Sequence, residues 1–209
     1  QEQLARALDQ HEMWLLTRGQ AGQRADLRGE FLPEADFSGR DLRGADFRQS
    51  ELSGADFTAC DLRHANFSEA NASQANFSGA RLDSATMWRA DLRGASFEDV
   101  SARDGMLRSV TARGANFRDA DLRGSDFSGA DLQDCILSGA DLRRARLAGA
   151  NLSGADLHTV LRPTRLRGVD LTGATLTGAN LSGADLAGVD LRHTERTNPQ
   201  EESEYEAGD

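Results

Sequence analysis

Large apolar residues recur at every fifth position along most of this chain. In the segment GRDLRGADFRQSELSGADFTACDLRHANF, which starts at Gly39, leucine and phenylalanine alternate at Leu42, Phe47, Leu52, Phe57, Leu62 and Phe67. A helix repeats at 3.6 residues and a flat strand at 2, so neither accounts for a period of five. The slot holds one frame from Leu27 to Leu157, which at one unit per five residues is 27 consecutive units. Two residues before nearly all of these centres stands a small residue, mostly alanine, as at Ala25, Ala35, Ala45, Ala55 and every fifth residue from Ala65 to Ala95. Asp or Asn lies between the two, and Arg or Ser, often with Gly, follows, giving A-[DN]-[LF]-[RS]-G.

One large and one small inward slot per five residues predict that each unit forms a short side of a coil and then turns a corner, where glycine supplies the unusual dihedrals. Sorting the centres by four gives columns 20 residues apart. One column reads Phe37, Phe57, Phe77, Phe97, Phe117, Leu137, Leu157, and the opposite one Leu27, Phe47, Phe67, Met87, Leu107, Phe127, Leu147. The other two hold leucine and alanine, with Ala72, Ala102 and Ala112 among them. Alternation by two requires an even number of sides if like is to stack on like, and four sides fill the cross-section with large residues facing each other and smaller ones between. The expected fold is an all-β solenoid, with 34 units in all making about 8.5 coils and a rod roughly 40 Å long at the spacing of paired strands.

The two ends break the pattern. Residues 2 to 16, EQLARALDQHEMWLL, place Leu4, Leu8, His11 or Glu12, and Leu15 at helical spacing, which predicts a short amphipathic helix closing the first coil. HEMWL lacks the second histidine of a zinc-protease helix, so His11 reads as a cap residue. The expected division is a capping helix and lead-in over 1–24, the repeats over 25–193, and an acidic disordered tail over 194–209. No apolar helix follows Leu191, so the last coil is expected to meet a second copy or a partner. In HTVLRPTR the frame slips, Leu157 being followed by Leu161, Leu166 and Leu171. This reads as one residue missing from one coil, with a corner adjusted or a kink near Pro163. Cys60 and Cys135 replace alanine in the small slot, nearly four coils apart, and read as buried thiols in a reducing compartment.

From about residue 25 to 193 the chain resembles the pentapeptide-repeat family. The resemblance implies a right-handed quadrilateral β-helix. It also points to a distant kinship in fold with Qnr-type gyrase-protection proteins, which look like duplex DNA to gyrase through size and acidity.

Composition bears on what such a rod can do. The chain is 38% apolar with a mean hydropathy of −0.56 and a net charge of −10. Its longest apolar run, MWLL, is far too short to cross a membrane. A cytoplasmic location is expected, allowing for an N-terminal piece removed before Gln1. His11, His64, His158 and His193 share no column and form no metal-spaced cluster with cysteine, and no phosphate loop, G-x-S-x-G or C-x-x-C occurs. With no convergent reactive groups, the reading is a non-enzyme with no cofactor and no metal.

Function is then expected on the outer faces. The Phe37 side carries Asp36, Asp56, Glu98, Asp99, Asp119 and Asp156 against Arg118, the face that would serve DNA mimicry. The Leu42 side carries an arginine ladder, Arg43, Arg63, Arg103, Arg123, Arg143 and Arg162, broken at Asp83, where DLR becomes RLD. Because each arginine has an acidic neighbour, most of this ladder reads as a salt-bridged stripe, which disfavours direct nucleic-acid binding. On the Phe47 side Trp88 and Met106 take outward slots, Arg89 follows the tryptophan, and Arg108, one coil on, is placed to lie over its ring. These four are the candidate anchor for a protein partner. The alternatives are a binding rod with an unidentified protein partner, or a gyrase-binding DNA mimic conferring quinolone protection.

Overall fold

The structure is a computed structural model and describes residues 2–158, 164–177, 179–191 and 194. From Asp26 onward the chain winds as a solenoid in which each residue just before a centre forms a single parallel bridge with its equivalent 20 residues on. Asp26 bridges Asp46, Phe31 bridges Glu51, Asp36 bridges Asp56 and Asp41 bridges Asp61, and the series continues without interruption to the bridge between Ile136 and Asp156. A coil is therefore four pentapeptides with four corners.

Three inter-coil bonds per pentapeptide hold the stack. The centre donates to the next coil, as Phe37 N–H does to Asp56 C=O at 2.8 Å. The residue before it donates to the previous coil, as Asp56 N–H does to Ala35 C=O at 2.9 Å. The left-handed corner residue donates too, as Gly39 N–H does to Thr58 C=O at 2.8 Å. Each corner is then closed by the next small residue, whose N–H reaches back to the centre three residues earlier, as from Ala45 to Leu42 at 3.0 Å. The third residue of that turn has positive φ, as in type II turns. Glycine fills the place at Gly39 and Gly44, but Glu34, Gln49, Ala59 and His64 adopt it as well, with φ between 56° and 62°. The corner is thus imposed by the bonds on either side of it, and glycine only relieves it.

Inside, the phenylalanines form two facing columns. Phe37, Phe57, Phe77, Phe97 and Phe117 stack with ring centroids 4.8–4.9 Å apart and planes within 8°. Phe47 and Phe67 stack likewise at 4.7 Å and meet the first column edge to face, as Phe47 does Phe57 at 5.5 Å. Stacking along the axis and edge contacts across it are both favoured arrangements for aromatic quadrupoles. Leucines and the alanine slots fill the remaining volume and are buried along the middle of the rod, from Leu42 to Leu157. Cys60 and Cys135 lie in that small slot, each thiol donating to a carbonyl, of Phe37 and Ala112, at 2.9 Å. Burial pushes these thiols up, to about 11 and about 12.

The N-terminal helix α1 (Glu2–Leu16) buries Leu8 and His11. His11 Nδ1 accepts a 3.0 Å hydrogen bond from Ala25 N–H, the small-slot amide that elsewhere bonds to the preceding centre. Gly22 (φ 77°) brings the chain so close to the Gln10 carbonyl that a Cβ would overlap it, and Gln23 N–H bonds to that same carbonyl at 3.0 Å.

The frame slip is built differently from the sequence expectation. Asp141 bridges Arg165, Arg146 bridges Asp170, Asn151 bridges Thr175 and Asp156 bridges Asn180, all 24 residues apart, and the step returns to 20 at Arg165 and Asp185. The coil has gained four residues; it has not lost one. Leu166 is the centre stacked above Leu142, and Arg167 succeeds Arg143 in the arginine ladder, the place the sequence reading gave to Arg162. Leu161, Arg162 and Pro163 lie outside the described residues, as does the expected tail apart from Thr194. Thr164 re-enters the small slot fully buried. Its hydroxyl lies 2.9 Å from Leu157 C=O and 3.1 Å from Leu137 C=O, and accepts from Gly139 N–H at 3.1 Å. Toward the last coil Leu176 is buried, whereas Leu181, Leu186 and Leu191 are half-buried.

Candidate functional site

Trp88 follows the inward Met87, so the corner geometry sends its side chain outward, and it stays 42% exposed. Met106 occupies the bridging slot of the next coil on the same side, paired with Thr86, and is 49% exposed. An aromatic and a thioether are thereby set on neighbouring coils of a face that is otherwise polar. The cation over the indole is Arg89, whose guanidinium carbon lies 5.2 Å from the ring centroid. Arg108, expected there, instead has its Nε 3.8 Å from Asp126, because the carboxylate of the next coil offers a full charge where the ring offers only its quadrupole. Trp88 also borders an open depression of about 360 Å³ whose other walls are Arg28, Arg48, Gln49, Asn66, Ser68 and Glu69. The exposed indole is thus bordered by polar and charged side chains.

The acidic residues of the Phe37 side occupy three neighbouring columns of one face, Asp36, Asp56 and Asp156 in the bridging slot, Glu98 after a centre, and Asp99 and Asp119 at the corner. Asp36 and Asp56 bridge each other, and Asp156 continues the column above Asn116 and Ile136. None of Asp36, Asp56, Glu98, Asp99, Asp119 and Asp156 forms an ion pair among the described residues. Asp36 accepts from the Ser38 hydroxyl at 2.6 Å and from its amide at 2.9 Å, and these bonds hold it below the usual carboxylate range. Asp56 is bound in the same way by Thr58. The Ser38 hydroxyl and amide, and not an arginine fork, are thus the main donors that favour the charged form of Asp36.

The Leu42 side is the converse. Arg43, Arg63, Arg123 and Arg143 each form a fork onto the aspartate two residues earlier, at 2.6–2.7 Å. Asp121 takes Arg103 Nε as well, at 2.6 Å, and is lowered to about 2 against the opposing effect of burial. A shallow depression of about 420 Å³ here is lined by Arg103, Asp104, Arg123, Gly124, Arg143 and Arg144. Among the described residues no group of His, Cys, Asp and Glu is placed to hold a metal ion, and no helix is long and apolar enough to cross a membrane.

Comparison with known proteins matches the chain to the family model for pentapeptide repeats, in eight copies over residues 23–58, 60–99, 107–139, 125–161 and 164–195. No curated protein matches it. Among solved structures it is similar to trypsin-treated QnrB1, a plasmid-mediated fluoroquinolone resistance protein, with 25% identity, 88% of this chain and 90% of that one covered, and a TM-score of 0.47. It is similar also to HetL of the cyanobacterium Nostoc, a protein involved in heterocyst differentiation regulation, with 29% identity, 83% and 94% covered, and a TM-score of 0.34. A third is a pentapeptide repeat protein of the Arabidopsis thaliana thylakoid lumen, with 28% identity, 74% and 70% covered, and a TM-score of 0.32.

Proposed function

Since the chain belongs to the pentapeptide-repeat family, we propose that it is a non-catalytic interaction rod, a right-handed quadrilateral β-helix that binds a protein partner through the Trp88 face. The observation that carries this reading is the exposed pair Trp88 and Met106 on adjacent coils, with Arg89 over the indole. The interior is filled by stacked side chains, so surface recognition is the chemistry left to such a rod. An aromatic anchor flanked by arginine and ringed with polar groups concentrates binding energy. The test is capture of partners from the source cell by the immobilised chain, compared with Trp88→Ala. Loss of the anchor is expected to lower recovery of a specific partner by about tenfold or more, the effect of removing a hot-spot residue. Equal recovery by both proteins overturns the proposal.

A second reading is supported by the acidic face at Asp36, Asp56, Glu98, Asp99, Asp119 and Asp156. In it the rod binds gyrase as a mimic of duplex DNA, in the manner of the Qnr-type proteins that its sequence resembles. Purified protein is then expected to relieve quinolone inhibition of supercoiling, and Asp36→Arg with Asp56→Arg to abolish relief while circular dichroism is unchanged. Absence of relief at excess protein removes this reading.

A further inference from the structure

The arginine face changes character along the rod. In its first three coils Arg43, Arg63 and Arg81 are matched by Asp41, Asp61 and Asp83. From Ser101 to Gly168 the balance fails, with Arg103, Arg123, Arg143, Arg144, Arg165 and Arg167 facing Asp104, Asp121 and Asp141. Three substitutions of the repeat produce the surplus. Ser101 stands where the pattern places an aspartate, Arg144 takes the left-handed corner at φ 63°, and the 24-residue coil sets Arg165 in the bridging slot above Asp141.

Two carboxylates are then shared by four guanidiniums. Asp121 meets Arg103 and Arg123 at 2.6 and 2.7 Å, and Asp141 meets Arg143 at 2.6 Å, Arg165 at 3.5 Å and Arg123 at 3.8 Å. Arg144 and Arg167 form no ion pair among the described residues, and both are exposed. Asp185, which bridges Arg165, is the next acid along this face, and Asp83 below accepts from the Ser101 hydroxyl and the Arg103 amide.

We propose that this half of the Leu42 side is a docking surface for an acidic peptide segment of a partner, lying along the rod axis from Arg103 to Arg167. Arg103, Arg123, Arg143 and Arg167 span three coil steps, roughly 14 Å, the length of about four extended residues. Arg103, Arg123, Arg143 and Arg144 line the depression of this face, where guanidiniums can donate charge-assisted bonds to incoming carboxylates. Two features select a peptide over nucleic acid. The face is a single pentapeptide wide and adjoins the acidic column at Asp99 and Asp119, so a duplex laid on it overhangs like charge within a Debye length. Its outward positions hold no aromatic residue on which the bases of a single strand could stack.

The surface is independent of the Trp88 face, and the experiment keeps the two apart. A fluorescein-labelled hexaglutamate peptide is titrated with the full chain at low and at physiological salt, beside a labelled oligothymidylate of equal charge. Binding of hexaglutamate that weakens with salt is expected, with Arg144→Glu plus Arg167→Glu weakening it by about tenfold or more and Trp88→Ala leaving it unchanged. These arginines are exposed and form no ion pair among the described residues, so the double variant is expected to keep its circular dichroism spectrum. The proposal is overturned if hexaglutamate does not bind at low salt, if the double variant binds equally well, if Trp88→Ala abolishes binding, or if oligothymidylate binds more tightly.

Discussion

His11 is where one side chain completes a repeat that has no preceding coil. Ala25 N–H, deprived of a centre three residues earlier, finds Nδ1 of His11 at 3.0 Å. The ring must therefore be neutral, with its proton on Nε2, a buried atom that has no hydrogen-bond partner among the described residues. Trp14 stacks on the ring at 5.7 Å. Burial is the main cause that holds this imidazole below its usual 6.5, with Arg24 and Arg43 adding to it and Asp41 opposing. The unfolded chain then takes up the proton at a higher pH than the folded one. Stability contributed here is present above about 6.5 and is lost as pH falls below that value, where proton binding favours the unfolded cap. Protonation would also place an N–H against Ala25 N–H. Helicity at 222 nm is expected to decline with acidification through pH 6, and the decline to be absent in His11→Gln, which retains an acceptor without titrating. A pH profile identical in both proteins would show that His11 does not govern the cap.

At the scale of the coil, the sequence was transparent wherever the period alone decides the structure. The columns through Phe37 and Phe47 can be written down from spacing, because one large and one small inward slot per five residues leave a single way to fill a four-sided cross-section. What spacing cannot supply is the number of residues in an irregular coil. A frame shift of one residue backward results equally from deleting one or inserting four, since both agree modulo five. Leu161 falls on the shifted frame and so reads as a centre in the sequence. Pairing resolves the ambiguity, and the Asp141–Arg165 bridge requires the insertion. Thr164 in an alanine slot is no signal by itself, since Ser50 and Ser125 hold that slot in regular coils. The candidate faces were similarly half legible. Which side each residue faces follows from the register, but whether Arg89 or Arg108 covers Trp88 depends on the competing carboxylate of Asp126. The arginine surplus was hidden by the same miscount, because Arg165 and Arg167 enter that face only through a 24-residue coil.

The whole rod is a one-dimensional stack in which each coil touches only its neighbours, so local stability follows local packing. From Phe37 to Phe117 the core is built on stacked phenylalanines, with Phe127 meeting Phe117 edge to face, and these bury large areas and add ring–ring contacts. Beyond Phe127 the two columns continue as Leu137, Leu147 and Leu157, Gly139 N–H meets the Thr164 hydroxyl in place of a backbone carbonyl, and the outermost centres Leu181, Leu186 and Leu191 are half-buried. The bridging amides permit a comparison between like groups. Asn66, Asn76 and Ser96 donate to the preceding coil at 2.9–3.0 Å, and Asp170, Thr175 and Asn180 do so at 2.9–3.2 Å, so differences in exchange between the two sets report the cost of opening the surrounding coils. Hydrogen exchange is expected to be slower by about tenfold or more at the first set, with opening that starts from the C-terminal coils. The Trp88 face would then rest on the stiff part of the rod, and the arginine surplus on the part that opens first. Equal protection at the two sets would show that the coils unfold as one cooperative unit, with the phenylalanine stack stabilising the C-terminal coils at a distance.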